Sequence, residues 1–204
     1  MQTPVPEPKV IRHPVVSIDD FLPPSEWQAL LRQVLENESG FAPSGTHDAR
    51  ADYRHSLVMN PPDALVRPVV DRVRALAPEV LPTLRVRNVP LGIVEAQITA
   101  IVDGSFFGVH TDAGHANVPK RYLTYVYYFN RAPKGFTGGE LRVYDDILRN
   151  DKLARGETFQ TLDPLHNRLV LFWARTMHEV MPVHIASRAF ADARFTVNGW
   201  VNSA

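Results

Sequence analysis

The sequence predicts a mainly β fold, a sandwich or barrel, with two helices against its outer face. Three observations lead there. From about Val86 onward, apolar and β-branched residues come in short runs separated by turn residues. Before that point, two stretches carry apolar residues at helical spacing. The connections between the extended runs are short, which favours a sandwich or barrel over a parallel sheet.

Taken in order, residues 1–14 are proline-rich and polar and read as an irregular arm. Ser25 offers an N-cap to a first helix, in which Trp27, Leu30, Leu31 and Val34 share one face. Ser39-Gly40 ends it. The segment Ala42–Tyr53 is polar and turn-rich, as a substrate loop or a plain connection would be, and His55–Met59 is a short extended piece. A second helix is predicted over Ala64–Leu76, with Leu65, Val69, Val73 and Leu76 as its stripe. The predicted strands are Leu91–Val102, Phe106–Asp112, Arg121–Asn130, Gly139–Tyr144, Arg168–Trp173, His178–Val183 and Arg194–Val201. The helical part is too small to stand alone, so 1–204 reads as a single domain, with arm and supporting helices in 1–85 and a β-core in 86–204.

Composition removes several function classes. Twenty-two basic residues balance twenty-two acidic ones with no long run of one sign, so neither nucleic acid nor an anionic membrane is an expected partner. There is no cysteine, which excludes disulfides, thiolate metal sites and cysteine nucleophiles. No stretch approaches the roughly 20 apolar residues of a membrane span, and a cytoplasmic location is the expectation.

The chemistry is carried by Val109-His110-Thr111-Asp112. On a strand, the period of two puts His110 and Asp112 on one face, where imidazole and carboxylate can share a divalent metal. The third ligand must come from elsewhere. His13, His47, His55, His115 and His166 sit in the arm, before the β-rich region or in turns, and read as surface or hydrogen-bonded residues. His178 and His184 both follow the apolar Leu169–Trp173 run. They are an even number of positions apart, so periodicity does not choose between them. On the last strand Arg194, Thr196, Asn198 and Trp200 share one face, and Phe195, Val197 and Val201 the other. Burying an arginine there requires an anion, which is a bound carboxylate or an internal Asp or Glu; exposure at an edge is the other possibility.

Together these segments resemble the prolyl 4-hydroxylase-type branch of the 2-oxoglutarate oxygenases. The resemblance runs from about Leu91 to Val201. It includes Asp103-Gly104-Ser105-Phe106-Phe107, the strand Arg121–Asn130, Gly138-Gly139-Glu140-Leu141-Arg142, Asn167–Trp173 and His178-Glu179-Val180-Met181-Pro182-Val183. It implies a double-stranded β-helix (jelly roll) core and an Fe(II)- and 2-oxoglutarate-dependent dioxygenase. By the same resemblance His110, Asp112 and His178 bind Fe(II), Arg194 binds the distal carboxylate of 2-oxoglutarate, and Tyr128 and Asn198 assist. His178 is preferred to His184 because it heads the motif. Ascorbate is an expected stimulant.

Two departures from the family pattern stand out. The gap from His178 to Arg194 is longer than usual, which makes Arg188 a rival clamp. Ile101 stands where many relatives place a tyrosine, and Gln97, on the same strand face, is a candidate replacement. Asp112 argues against a halogenase. Hydroxylation is the expected outcome, with a prolyl residue of a peptide or protein as the first guess among small-molecule, peptide and protein substrates. Arg121, Tyr125 and Tyr127 are candidate mouth residues, with core packing as the plainer role for the tyrosines. Competing readings are a cupin-like jelly-roll module that binds metal without turnover and a zinc hydrolase on the same ligands; neither has a use for Arg194. The oligomeric state is not legible.

Overall fold

The structure, a computed structural model, describes residues 9–44, 55–114, 118, 120–149 and 152–204. The N-terminal part contains β1 (Lys9–Ile11), β2 (Val16–Ile18), helix α1 (Pro24–Glu36), β3 (Ala42–Pro43), β4 (Leu57–Met59) and helix α2 (Asp63–Val80). There follow β5 (Leu91–Ile101), β6 (Phe107–His110), β7 (Arg121–Phe129), β8 (Thr137–Gly138), β9 (Leu141–Arg149) and β10 (Lys152–Leu162). The chain closes with β11 (Arg168–Trp173), β12 (His178–Val180), β13 (Val183–His184) and β14 (Arg194–Ser203).

Among the described residues, the strands form two large sheets and one short pair. The seven-stranded sheet runs β2-β11-β7-β14-β5-β4-β3, and the five-stranded sheet runs β1-β9-β12-β6 with β10 on the other side of β9. Every pairing is antiparallel, and non-consecutive strands lie side by side, as in a jelly roll. This is the expected mainly β core with two supporting helices.

Strand periodicity gives the seven-stranded sheet two different faces. Ile98, Ala100, Tyr125, Tyr127, Phe129, Leu169, Leu171, Phe195 and Val197 belong to one buried cluster with Leu30, Val34, Val69, Val73 and Ala77 of the helices. The opposite face contributes Tyr128, Val170 and Phe172 to a second cluster with Leu141 and Val143 of the other sheet. The helices thus cover one face of the seven-stranded sheet, and its other face packs toward the five-stranded sheet.

Several boundaries differ from the sequence expectation. Helix α1 begins at Pro24 with Pro23 as N-cap and no side-chain cap bond, so Ser25 lies within the first turn. Proline at N1 has its φ preset for a helix and no amide hydrogen to satisfy, which makes a serine cap unnecessary. Helix α2 runs on through Pro78 to Val80, because Ala77 and Val80 are buried and offset the lost amide hydrogen bond. Its stripe centres on Val66, Val69, Val73, Ala77 and Val80, with Leu65 and Leu76 at the flanks.

The arm is less irregular than expected, since its β1 pairs with β9, and β2 just beyond it pairs with β11. Strand β10 was not predicted. Its side chains are exposed almost throughout, so no hydrophobic alternation marks it, and its main-chain ladder with β9 holds it in place. Residues 45–53 of the Ala42–Tyr53 segment, together with His47 and His115, lie outside the described residues.

Candidate metal and cosubstrate site

His110 ends β6, and His178 opens β12, directly opposite it in the antiparallel register. Their ring centroids lie 4.1 Å apart. The register shifts between this pair and Val180↔Phe107, so β6 is bulged. The bulge lets Phe107, three residues before His110, stack on its ring at 3.6 Å.

Asp112 lies beyond the end of β6, so the expected strand periodicity is not what brings it to His110. Instead, the amides of Asp112 and Ala113 both donate to the carbonyl of Ala174, at 2.9 and 3.1 Å. That anchor turns the Asp112 carboxylate back between the imidazoles. Its Oδ1 is 3.6 Å from His110 Nε2 and its Oδ2 is 3.4 Å from His178 Nε2.

The ligand atoms of His110, Asp112 and His178 all lie within 4.8 Å of one another. Both histidines are oriented in the same way. His110 Nδ1 is 2.8 Å from the Gly108 carbonyl, and His178 Nδ1 is 2.9 Å from that of Thr176. A carbonyl only accepts, so each Nδ1 carries the hydrogen and each Nε2 keeps a lone pair for a metal. Burial by itself would raise the Asp112 pKa, but His178, His110 and the Thr124 hydroxyl outweigh it, and the net shift is downward. Two imidazole nitrogens and one ionised carboxylate form the donor set of a facial triad with open positions, which suits Fe(II).

Arg194 is almost fully buried on the inner face of β14. Its Nε donates to the Gly139 carbonyl at 2.8 Å, and its guanidinium lies 4.9 Å from the Tyr128 ring centroid. No ion pair to an Asp or Glu is present among the described residues, so neither the internal salt bridge nor edge exposure accounts for it. Burial lowers its pKa, opposed mainly by Tyr128. The Tyr128 hydroxyl is itself buried, with no hydrogen bond of good geometry among the described residues beyond its approach to Arg194. A buried guanidinium beside a phenolic hydroxyl has the chemistry to bind a carboxylate.

The remaining candidates divide clearly. Asn198 lies on the same face, and its Oδ1 accepts from Thr99 at 2.7 Å and from Thr196 at 3.3 Å. Gln97 Nε2 is 3.5 Å from Thr99 Oγ1, and Ile101 is buried opposite Arg194 in register. Arg188 is in an exposed turn with φ of 55°, 3.8 Å from Asp103. His184 is exposed and 3.2 Å from the same aspartate.

Tyr125 and Tyr127 are core residues of the helix-facing side. Tyr125 donates to the Glu95 carbonyl and Tyr127 to Asn167 Oδ1. Arg121 pairs with Glu95 at 2.9 Å, and its guanidinium carbon lies over the Trp200 ring, 3.2 Å from the centroid.

Sequence reasoning missed Thr124, Phe107 and Gly139. Thr124 was reachable, because period two from Tyr128 puts Val126 and Thr124 on the same face of β7. Phe107 was not, because a bulge has no signature in alternation.

The profile of the 2OG-Fe(II) oxygenase superfamily matches residues 96–202, more than half of the chain. The chain belongs to this superfamily. The superfamily is one of Fe(II)- and 2-oxoglutarate-dependent enzymes, and the donor set of His110, Asp112 and His178 fits Fe(II). Among curated proteins similar to this chain, an uncharacterized PKHD-type hydroxylase of Synechocystis sp. is 38% identical over 186 residues, 90% of this chain. The chain spans 61% of that relative's length.

Two solved structures share the oxygenase fold. One is a prolyl-4-hydroxylase of Pseudomonas putida, with a TM-score of 0.69, 20% identity and 94% of both chains covered. The other is a Trichoplax adhaerens prolyl hydroxylase in complex with a hypoxia inducible factor oxygen degradation domain peptide fragment. Its TM-score is 0.67 with 20% identity, covering 94% of this chain and 84% of that one. No helix among the described residues is long and apolar enough to cross a membrane.

Proposed function

We propose that this chain is an Fe(II)- and 2-oxoglutarate-dependent hydroxylase in which His110, Asp112 and His178 hold the metal. Arg194, with Tyr128 and Asn198, receives the 2-oxoglutarate. Residues 1–204 act as one domain built on the 86–204 core, in a cytoplasmic setting. The observation that carries the reading is the pairing of a triad able to bind metal with a buried arginine that makes no ion pair to an Asp or Glu among the described residues. A metal-binding module or a zinc hydrolase gives no reason to bury that charge.

Held by His110, Asp112 and His178, Fe(II) would supply O2 activation coupled to the oxidation of 2-oxoglutarate. In the balanced reaction, 2-oxoglutarate, O2 and a substrate C–H bond give succinate, CO2 and a C–OH group. The protein's task is orientation and exclusion of water. Arg194 fixes the far end of the cosubstrate by a charge-assisted pair, so that the keto acid end is presented to the triad. The backbone-anchored imidazoles keep their Nε2 lone pairs directed at the metal, and Phe107 and Phe172 shield the two rings.

For the substrate we propose a prolyl residue in a peptide or protein. The fold shared with two prolyl hydroxylases supports this choice. Incubation of proline-containing peptides with the protein, Fe(II), 2-oxoglutarate and ascorbate tests it by mass spectrometry. A gain of about 16 Da, one inserted oxygen atom, on a prolyl residue is the expected result. Succinate formation with no oxidised proline in any peptide would remove the prolyl assignment and leave the oxygenase reading in place.

A further inference from the structure

We infer that Thr124 is the positioning residue for the Asp112 carboxylate, an inference that rests on the ligand set proposed above. Thr124 lies in β7 with its side chain buried on the inner face. Its hydroxyl donates to Asp112 Oδ2 at 2.8 Å. Phe172 and Trp200 are its register partners on the two neighbouring strands, and its branched Cβ leaves few rotamers there. The hydroxyl is therefore held at a fixed place on a central strand.

Asp112 needs such a partner because its own element does not supply one. It lies past the end of β6, outside any ladder. The two amide bonds to Ala174 fix its main chain and leave the carboxylate free to turn about its side-chain torsions. Among the described residues, Thr124 provides the hydrogen bond that breaks the symmetry of the two oxygens. It engages Oδ2, while Oδ1 accepts no hydrogen bond of good geometry.

This asymmetry matters for the reaction. A facial triad leaves three positions, which a chelating keto acid and O2 together fill. A carboxylate that gave both oxygens to the metal would occupy one of them. With Oδ2 held by Thr124, Oδ1 is the oxygen that would be free for a metal. Thr124 thus does two things at one atom: it orients the ligand and it limits how many positions that ligand takes.

Anaerobic titration of the metal-free protein with Fe(II), and with Co(II) followed by visible absorption, tests this in wild type, Thr124→Val, Thr124→Ala and Thr124→Ser. Loss of an outer hydrogen-bond partner of a ligand typically weakens metal affinity by about 10–100-fold. Thr124→Val, with Thr124→Ala as a second version, is expected to show a loss in that range and an altered Co(II) spectrum. Thr124→Ser, which keeps the hydroxyl, is expected to restore both.

A purely structural threonine would shift only the melting temperature of the metal-free protein. Wild-type affinity and an unchanged Co(II) spectrum in Thr124→Val would overturn the inference. Failure of the wild-type protein to bind either metal would overturn the ligand set itself, a separate and recognisable outcome.

Discussion

The Nε–H of Arg194 donates to the main-chain oxygen of Gly139 at 2.8 Å, and the same glycine leaves no room for a side chain beside it. A Cβ on Gly139 would lie 2.7 Å from Arg194 Cδ and 2.8 Å from Val183 Cγ2. The residue also has a φ of 74°, where a side chain is strained. Gly139 therefore holds the arginine's stem by its carbonyl and admits it by lacking a Cβ.

Gly139→Ala is predicted to raise the KM for 2-oxoglutarate by roughly tenfold, equivalent to about 1.4 kcal/mol. Fe(II) affinity is predicted to stay at the wild-type level, because the triad lies on other elements. Titration of each component with the other saturating separates the two effects. An equal loss of both would place the damage in the fold and not in the clamp.

The rival arginines give opposite expectations. Arg194→Ala removes the charge-assisted pair proposed for the cosubstrate, worth about 1.5–3 kcal/mol, so the KM for 2-oxoglutarate should rise roughly 10–150-fold. Arg188→Ala, at an exposed turn, should leave it unchanged. A larger effect from Arg188→Ala would show that the clamp has been assigned to the wrong residue.

A third prediction concerns stability. Asn167 has a φ of 58°, and its side chain accepts from the Leu22 amide and the Tyr127 hydroxyl and donates to the Leu22 carbonyl, all within 2.9 Å. It ties the approach to α1 onto the sheet. Asn167→Ala orphans three buried groups, each costing about 1–3 kcal/mol, so urea unfolding should show a loss of at least about 3 kcal/mol. Tyr127→Phe removes one hydroxyl and should cost about 1 kcal/mol. Equal losses in the two variants would mean that Asn167 is not the hub described.

These examples also show what was legible in the sequence. Alternation along Arg194–Val201 separated the site face from the helix-facing core correctly, because both faces of that strand are buried in chemically different surroundings. The jelly roll itself came from the family resemblance, since alternation gives faces but no strand order. His178 could not be told from His184 by period two. Their fates differ because the ladder breaks between Val180 and Val183, which sends His184 to the surface.

Asp112 was matched with His110 for the wrong local reason. The anchor is a pair of amide bonds to Ala174, a contact across about sixty residues that no local pattern encodes. Strand β10 escaped notice because nearly all of its side chains face solvent.

The central claim is that His178, and not His184, completes the metal site of a 2-oxoglutarate oxygenase. Succinate formation from 2-oxoglutarate with Fe(II) and ascorbate, measured in His178→Ala and His184→Ala beside the wild type, tests it most directly. The wild type and His184→Ala are expected to form succinate at comparable rates, and His178→Ala to lose at least about 100-fold, the upper end of what even outer-partner losses cost a metal site. Turnover retained in His178→Ala would contradict the account.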